Sequence, residues 1–243
     1  MQYIIPENLF LIDIETVSGY PEHQLLDEQW QQLWYEKISK ALPENETAET
    51  FYPKRAAILA EFAKVVCISF GYLKKEEGRY KLRIKSIYGD DEKSLLEEFS
   101  ATLCNFYNVN KNWCFTGHNI KEFDIPFLCR RMLVNNILIP GYMDFQNMKP
   151  WETPVLDTLH LWRFGDFKHY TSLKLLAAVL GVPSPKGDID GSMVGHVYWN
   201  EKDLQRIATY CQKDVATVAN IILRFKNLPL LGDDDVSYVN KED

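Results

Sequence analysis

A chain of 243 residues, 46% hydrophobic and 25% charged, has an ordinary globular composition and enough apolar residues for a sizeable core. Its formal net charge of −7 excludes a surface coated in positive charge for unspecific polyanion binding, but not a nucleic-acid enzyme that grips through a modest basic rim. Five cysteines, at 67, 104, 114, 129 and 211, contain no C-x-x-C pair, which argues against a disulfide framework or a zinc site. Free thiols, the lack of a leader-like N-terminus and the lack of an apolar run of about 18 residues predict a cytoplasmic protein with no membrane span.

The first predicted element is a buried strand, Leu9-Phe10-Leu11-Ile12-Asp13-Ile14-Glu15-Thr16. Strand side chains alternate, so Leu11, Asp13 and Glu15 share one face and Phe10, Ile12 and Ile14 the other. Two acids side by side among hydrophobes raise each other's pKa, and a divalent cation would remove that penalty. For this triplet alone, acids emerging into water at a strand end is the simpler reading.

Pro21 to Lys40 has helical apolar spacing, with Trp30, Trp34 and Tyr35 read as a packing stripe in preference to a base-stacking platform. A polar loop follows from Leu42, and Pro53 is expected to open a short helix reaching about Ala60. Lys64–Tyr72 and Tyr80–Tyr88 read as a hairpin, its Lys81, Arg83 and Lys85 on a solvated face. Asp90 to about Tyr107 is a helix, Asn112–Gly117 a short strand, and Asp124–Val134 a helix with Asp124 as its N-cap. Thr153–Leu159 is a strand or a helix start, and Ser172–Leu180 a helix stopped by Gly181. Residues 184–197 read as a loop, and Asn200 as the cap of a long helix running to about Phe225. The acidic stretch 229–243 reads as a flexible tail. The order of elements predicts one α/β domain over 1–228, a mixed sheet flanked by helices, with 17–63 as a helical insertion.

Two further carboxylate signals lie downstream. In Asn119-Ile120-Lys121-Glu122-Phe123-Asp124 an acid stands where a strand end gives way to a helix, the place where open α/β sheets put their sites. In Tyr210-Cys211-Gln212-Lys213-Asp214, the tyrosine and the last aspartate lie four apart on one helical face with apolar neighbours. Asp13 and Glu15, then N-x-x-x-F-D, then Y-x-x-x-D form a set that resembles the DEDD superfamily of 3′–5′ exonucleases in its tyrosine subgroup. The histidine subgroup would place histidine at 209, where this chain has Thr209. Within the tyrosine subgroup the chain most resembles the exonuclease domain of family B DNA polymerases, in a stand-alone bacterial branch. Ala60–Ser69 and Lys186–Val194 add to that likeness, which runs from about residue 8 to 226 and leaves no length for polymerase palm motifs.

The resemblance implies a DnaQ-like, ribonuclease H-like fold with a five-stranded mixed sheet. It implies two Mg²⁺ or Mn²⁺ ions held by Asp13, Glu15, Asp124 and Asp214, with Asp13 bridging them. Tyr210, whose free pKa of about 10 makes it a poor base, would orient the attacking water. Thr16, Asn119 and Phe123 would bind the terminal nucleotide, with unpaired 3′ ends of DNA favoured over RNA. An exoribonuclease of ribonuclease D type and a non-catalytic nucleic-acid-binding module on the same fold are the alternatives. His118 and His160 are poor candidates for a base, and Asp188 and Asp190 fit turns better than metal ligation. For Arg130-Arg131 and Lys168-His169, phosphate contact and a solvated face remain equally open.

Overall fold

The computed structural model describes residues 3–109, 112–149, 152–183 and 188–239. A mixed sheet of six strands runs in the order β5-β4-β1-β2-β3-β6. Its central strand is β1, Leu9–Ser18, buried along its length except at Asp13. β2 (Ala63–Glu76) pairs with β1 antiparallel, and β3 (Arg79–Tyr88) pairs with β2. Glu77 and Gly78, both at positive φ (49° and 83°), form the tight turn between β2 and β3, as the twist of a two-residue hairpin requires. β4 (Cys114–Gly117) lies parallel to β1 on its other side, and β5 (Val155–Asp157) parallel to β4.

Helices cover both faces. Phe10, Ile12 and Ile14 of β1 pack into one core with α3 (Glu92–Val109) and α4 (Asp124–Val134), through residues such as Phe99 and Leu128. Leu11 packs into the opposite core against Val215, Val218 and Ala219 of α8, the 22-residue helix Leu204–Phe225. β1 therefore has two buried faces, which explains its unbroken apolar reading apart from the two acids.

The region before β2 carries α1 (Glu28–Ile38), capped by the Asp27 side chain, and α2 (Ala48–Arg55). Trp34 is fully buried in a cluster of its own with Ile38, Tyr52, Ala56 and Phe62, whereas Trp30 and Tyr35 are partly exposed. The packing reading therefore holds for Trp34 and for one edge of Trp30, whose ring meets Phe62 at 5.5 Å, and not for the exposed Tyr35. α2 starts earlier than expected because Thr47 and Thr50 form a reciprocal capping box, and Pro53 sits inside the helix.

After β5 come α5 (Thr158–Arg163), α6 (Leu173–Val179) and a single turn α7 (Val194–His196). Both readings of 153–159 hold in part, as a strand and then a helix start. Asn200 does not cap α8. Residues Val197–Glu201 form a π-helical turn, Lys202 reverses at φ 59°, and the Asp203 side chain caps the helix at Arg206 N. Lys186 and Gly187 lie outside the described residues.

The five-stranded sheet and the frayed tail both need correction. The chain returns after α8, and β6 (Val236–Val239) adds to the β3 edge in parallel. Two contacts anchor it: Leu231 N–H donates to the buried Asn220 Oδ1 at 2.8 Å, and Lys81 meets Asp235 at 2.7 Å. The acidic run that suggested fraying is the turn into a short strand. Lys85 also has an acidic partner, Glu98 at 3.5 Å.

Candidate active site

Alternation along β1 turns Asp13 and Glu15 toward α8. A bulge between Glu15 and Thr16 follows, where the pairing with β2 slips. Glu15 is buried, while Asp13 keeps a partial opening to solvent. Cys211, buried on α8, aims its thiol at Asp13: Sγ lies 3.2 Å from Oδ2 and 3.3 Å from the Asp13 carbonyl oxygen. A single thiol among the apolar residues of a helix carries no site signal in the sequence.

Asp124 opens α4 but does not cap it. The residue in the capping position is Phe123, and no side chain caps there. The Asp124 carboxylate instead crosses to β1, where Oδ1 accepts from the Ile14 N–H at 3.1 Å. The ladder between β1 and β4 ends at Leu11 and Thr116, so beyond that point β4 no longer serves the β1 backbone. A buried N–H needs an acceptor, and Asp124 supplies it.

The turn that delivers Asp124 is tightly built. A Cβ on Gly117 would lie 2.2 Å from Ile120 Cγ2 and 2.7 Å from the Ile12 carbonyl oxygen, so only glycine lets this turn close onto β1. Asn119 sits at φ 64°, a conformation asparagine tolerates better than most residues. Its side-chain Oδ1 is buried without a donor among the described residues. Asp157, at the end of β5 and fully buried, accepts from the backbone N–H groups of Asn119 (2.9 Å), Lys121 (3.0 Å) and Leu159 (2.9 Å). This acid escaped the sequence reading: a lone Asp after a short apolar run carries no signal of its own.

On α8, the Tyr210 hydroxyl donates to Asp214. Asp13, Glu15, Asp124 and Asp214 thus come from three elements and act on one another electrostatically. Burial, followed by repulsion from Asp214 and Asp124, holds Asp13 well above the usual carboxylate range. Burial and then Asp13 do the same for Glu15. Burial lifts Asp124 to about 7, against the pull of the Ile14 N–H, and lifts Asp214 to about 6, against the Tyr210 hydrogen bond. Tyr210 itself is pushed far up, first by burial and then by Asp214 and Glu15.

The donor set suits hard divalent cations. Ligand atoms of Asp13, Glu15 and Cys211 lie within 4.8 Å of one another, and carboxylate oxygens are the preferred ligands of Mg²⁺ and Mn²⁺. The Cys211 thiol, whose pKa burial also raises, is better suited to donating a hydrogen bond to Asp13 than to ligation.

The remaining expected residues are placed as follows. Thr16 is buried, its hydroxyl donating to the Ala57 carbonyl at 2.7 Å. Phe123 is half-buried, 5.2 Å from the Phe127 ring. His118 is held by Thr158 and Thr171, and His160 meets Glu122. Asp188 pairs with Arg206 at 2.6 Å and Asp190 turns onto Ser192, both apart from the four acids in their contacts. Arg131 is no phosphate contact: it is buried against Glu92 at 2.6 Å and the Ala60 carbonyl at 2.8 Å. Lys168 and His169 are exposed.

Residues 57–229 match a family described as predicted 3′–5′ exonucleases related to the exonuclease domain of PolB. The chain belongs to this family. The span matched by this PolB-related exonuclease family includes Asn119, Phe123, Asp124, Tyr210 and Asp214 and begins after Asp13 and Glu15. Ninety solved chains match the fold. One is the family B DNA polymerase of the hyperthermophilic archaeon Pyrobaculum calidifontis, at TM-score 0.52 and 15% identity. That match covers 91% of this chain and 24% of the polymerase chain, so this chain spans about a quarter of the polymerase's length. No curated protein sequence matches. The family carries the exonuclease activity class, and the structural likeness carries the ribonuclease H-like fold.

Proposed function

We propose that this chain is a divalent-cation-dependent 3′–5′ exonuclease that removes nucleoside 5′-monophosphates from single-stranded or frayed DNA ends. The observation that carries the reading is the convergence of Asp13, Glu15, Asp124 and Asp214 from β1, α4 and α8, where like charges felt by one another leave a deficit of positive charge. Two divalent cations, Mg²⁺ or Mn²⁺, would supply there the Lewis acidity that activates water and steadies the leaving 3′-oxygen.

Asp13 feels both Asp214 and Asp124, which suits it to a shared ligand. Glu15 and Asp214 would complete one ion's set. Asp124, with one oxygen engaged by Ile14, would hold the other ion through the remaining oxygen. Burial and then the acids around it push the Tyr210 hydroxyl up from an already high ordinary value, which suits it to orienting water and not to acting as a base. While its hydroxyl donates to Asp214, its oxygen can accept a hydrogen from the attacking water and fix the line of attack. The unsatisfied Asn119 Oδ1 would take a donor from the terminal nucleotide, with the Phe123 ring and Thr16 beside it. Relationship to a DNA polymerase exonuclease domain favours DNA over RNA.

The test is degradation of matched 5′-labelled single-stranded DNA and RNA with Mg²⁺ or with EDTA. A ladder shortened from the 3′ end, faster on DNA and abolished by EDTA, is expected. Asp13→Ala or Asp214→Ala should abolish it with an unchanged circular dichroism spectrum. Wild-type rates in either variant would overturn the assignment of the acids, and internal cuts would overturn the exonuclease reading.

A further inference from the structure

Between α5 and α6 the chain reads Phe164-Gly165-Asp166-Phe167-Lys168-His169-Tyr170. Its three aromatic rings are left open to solvent: Phe164 is 87%, Phe167 68% and Tyr170 62% exposed. Three large rings left in water within seven residues mark a contact surface more than a stray hydrophobe does. Phe164 also holds the left-handed region at φ 46°, followed by Gly165 at 90°, a conformation unfavourable for a bulky residue. The loop is nonetheless built: Asp166 N–H donates to the Arg163 carbonyl at 2.8 Å, and Lys168 N–H to Asp166 Oδ1 at 3.1 Å.

Two struts tie this loop to the turn carrying Asp124. The His118 ring bridges Thr158 Oγ1 (2.9 Å) and the Thr171 carbonyl (2.8 Å) and lies 6.4 Å from the Tyr170 ring. Arg163 bonds Glu122, two residues before Asp124, at 3.0 Å, and its guanidinium lies 5.8 Å from the Phe167 ring. The Arg163 side chain is only 9% exposed, yet its Nε is buried without an acceptor among the described residues. An unanswered guanidinium N–H is a vacancy for an anionic oxygen. Lys168 stands exposed beside it, while Glu122 pairs with Arg163 and Asp166 turns onto the loop backbone, so the phosphate-facing cations of the loop are Arg163 and Lys168.

We propose that the Phe164–Tyr170 loop is a stacking lip for single-stranded nucleic acid leading toward the four acids. Phe167 and Tyr170 take base faces, and Arg163 and Lys168 meet backbone phosphate. Stacking on a ring is tolerant of sequence, because every base presents a π-face, and a nuclease that shortens any end needs that tolerance. The lip rests on reading the four acids as a nuclease centre, and it sets that centre's substrate as a strand of several nucleotides.

The test is equilibrium binding of a fluorescein-labelled thymidine oligonucleotide to the full chain in EDTA, read by anisotropy. Phe167→Ala and Tyr170→Ala should each weaken binding roughly 10-fold. Phe167→Tyr and Tyr170→Phe, which keep a ring, should restore it, and Val109→Ala, a change at an exposed residue ending α3, should leave it unchanged. In Mg²⁺ the alanine variants should raise KM more than they lower kcat. Wild-type affinity in both alanine variants, failure of the ring-keeping variants to rescue, or no oligonucleotide binding by the wild type would each overturn the lip. Binding lost in the alanine variants while the wild type shows no Mg²⁺-dependent cleavage would uphold the lip and overturn the nuclease reading.

Discussion

At the scale of single residues, the four acids are ill suited to the metal-free protein. Each holds its proton to a higher pH in the fold than in the unfolded chain, so removing one should stabilise the fold while destroying activity. Asp13→Asn is expected to abolish hydrolysis and to raise the metal-free Tm at pH 8, with the gain shrinking toward pH 5. Thermal unfolding at the two pH values checks both halves. Tyr210→Phe keeps the ring and loses the hydroxyl that binds Asp214 and would aim the water. It should slow hydrolysis by roughly 10- to 100-fold without abolishing it, as measured by single-turnover kinetics. Asp13, Glu15, Asp124, Tyr210 and Asp214 are each a weak signal alone and stand out only as an ordered set that resembles the tyrosine subgroup of DEDD exonucleases. Cys211 and Asp157 do not stand out, because a buried thiol and a backbone-binding acid look ordinary in one dimension.

At the scale of elements, the segment from Gly117 to Asp124 decides whether the second signal reaches the first. Its shape depends on one missing Cβ and on one buried carboxylate with three backbone donors. Gly117→Ala must push Ile120 or the β1 backbone aside, at a cost of about 1–3 kcal/mol, or a Tm lower by roughly 2–10 °C. Asp157→Ala strands three N–H groups and should cost at least about 2 kcal/mol. Because both changes displace Asp124, kcat should fall further than stability explains, which rates taken well below Tm would show. The elements themselves were mostly legible. β1, β2, β3, α3 and α4 carry strong periodicity, whereas β6 hid behind Asp233, Asp234 and Asp235, and the π-turn before α8 hid behind a capable cap at Asn200. In both places a local polar signal pointed one way; the contact of Asn220 with Leu231 settled the first, and a competing local cap, Asp203 on Arg206 N–H, settled the second.

At the scale of the whole molecule, proton and cation binding are linked to folding. Burial pushes Asp124 up to about 7 and Asp214 up to about 6, against an ordinary value of 3.8. From about pH 4 to 7 the folded state therefore binds more protons than the unfolded state, and raising pH through this window removes stability. The metal-free Tm should fall between pH 5 and pH 8 by more in the wild type than in Asp124→Asn, with a loss on the order of 2 kcal/mol, or about 4–8 °C. Mg²⁺ or Mn²⁺ should return most of that loss at pH 8 and little at pH 5, a difference that scanning fluorimetry reads directly. The hydrogen bond from Ile14 to Asp124 gives this linkage a built-in reporter. It places a backbone amide of the central strand in contact with a carboxylate that, under the proposed function, would change charge and partners on binding a cation. In a proton–nitrogen correlation spectrum, the Ile14 resonance should move with titrant. The amide of Phe10, on the same strand beside β4, should stay in place, so the middle of the sheet records events at the four acids.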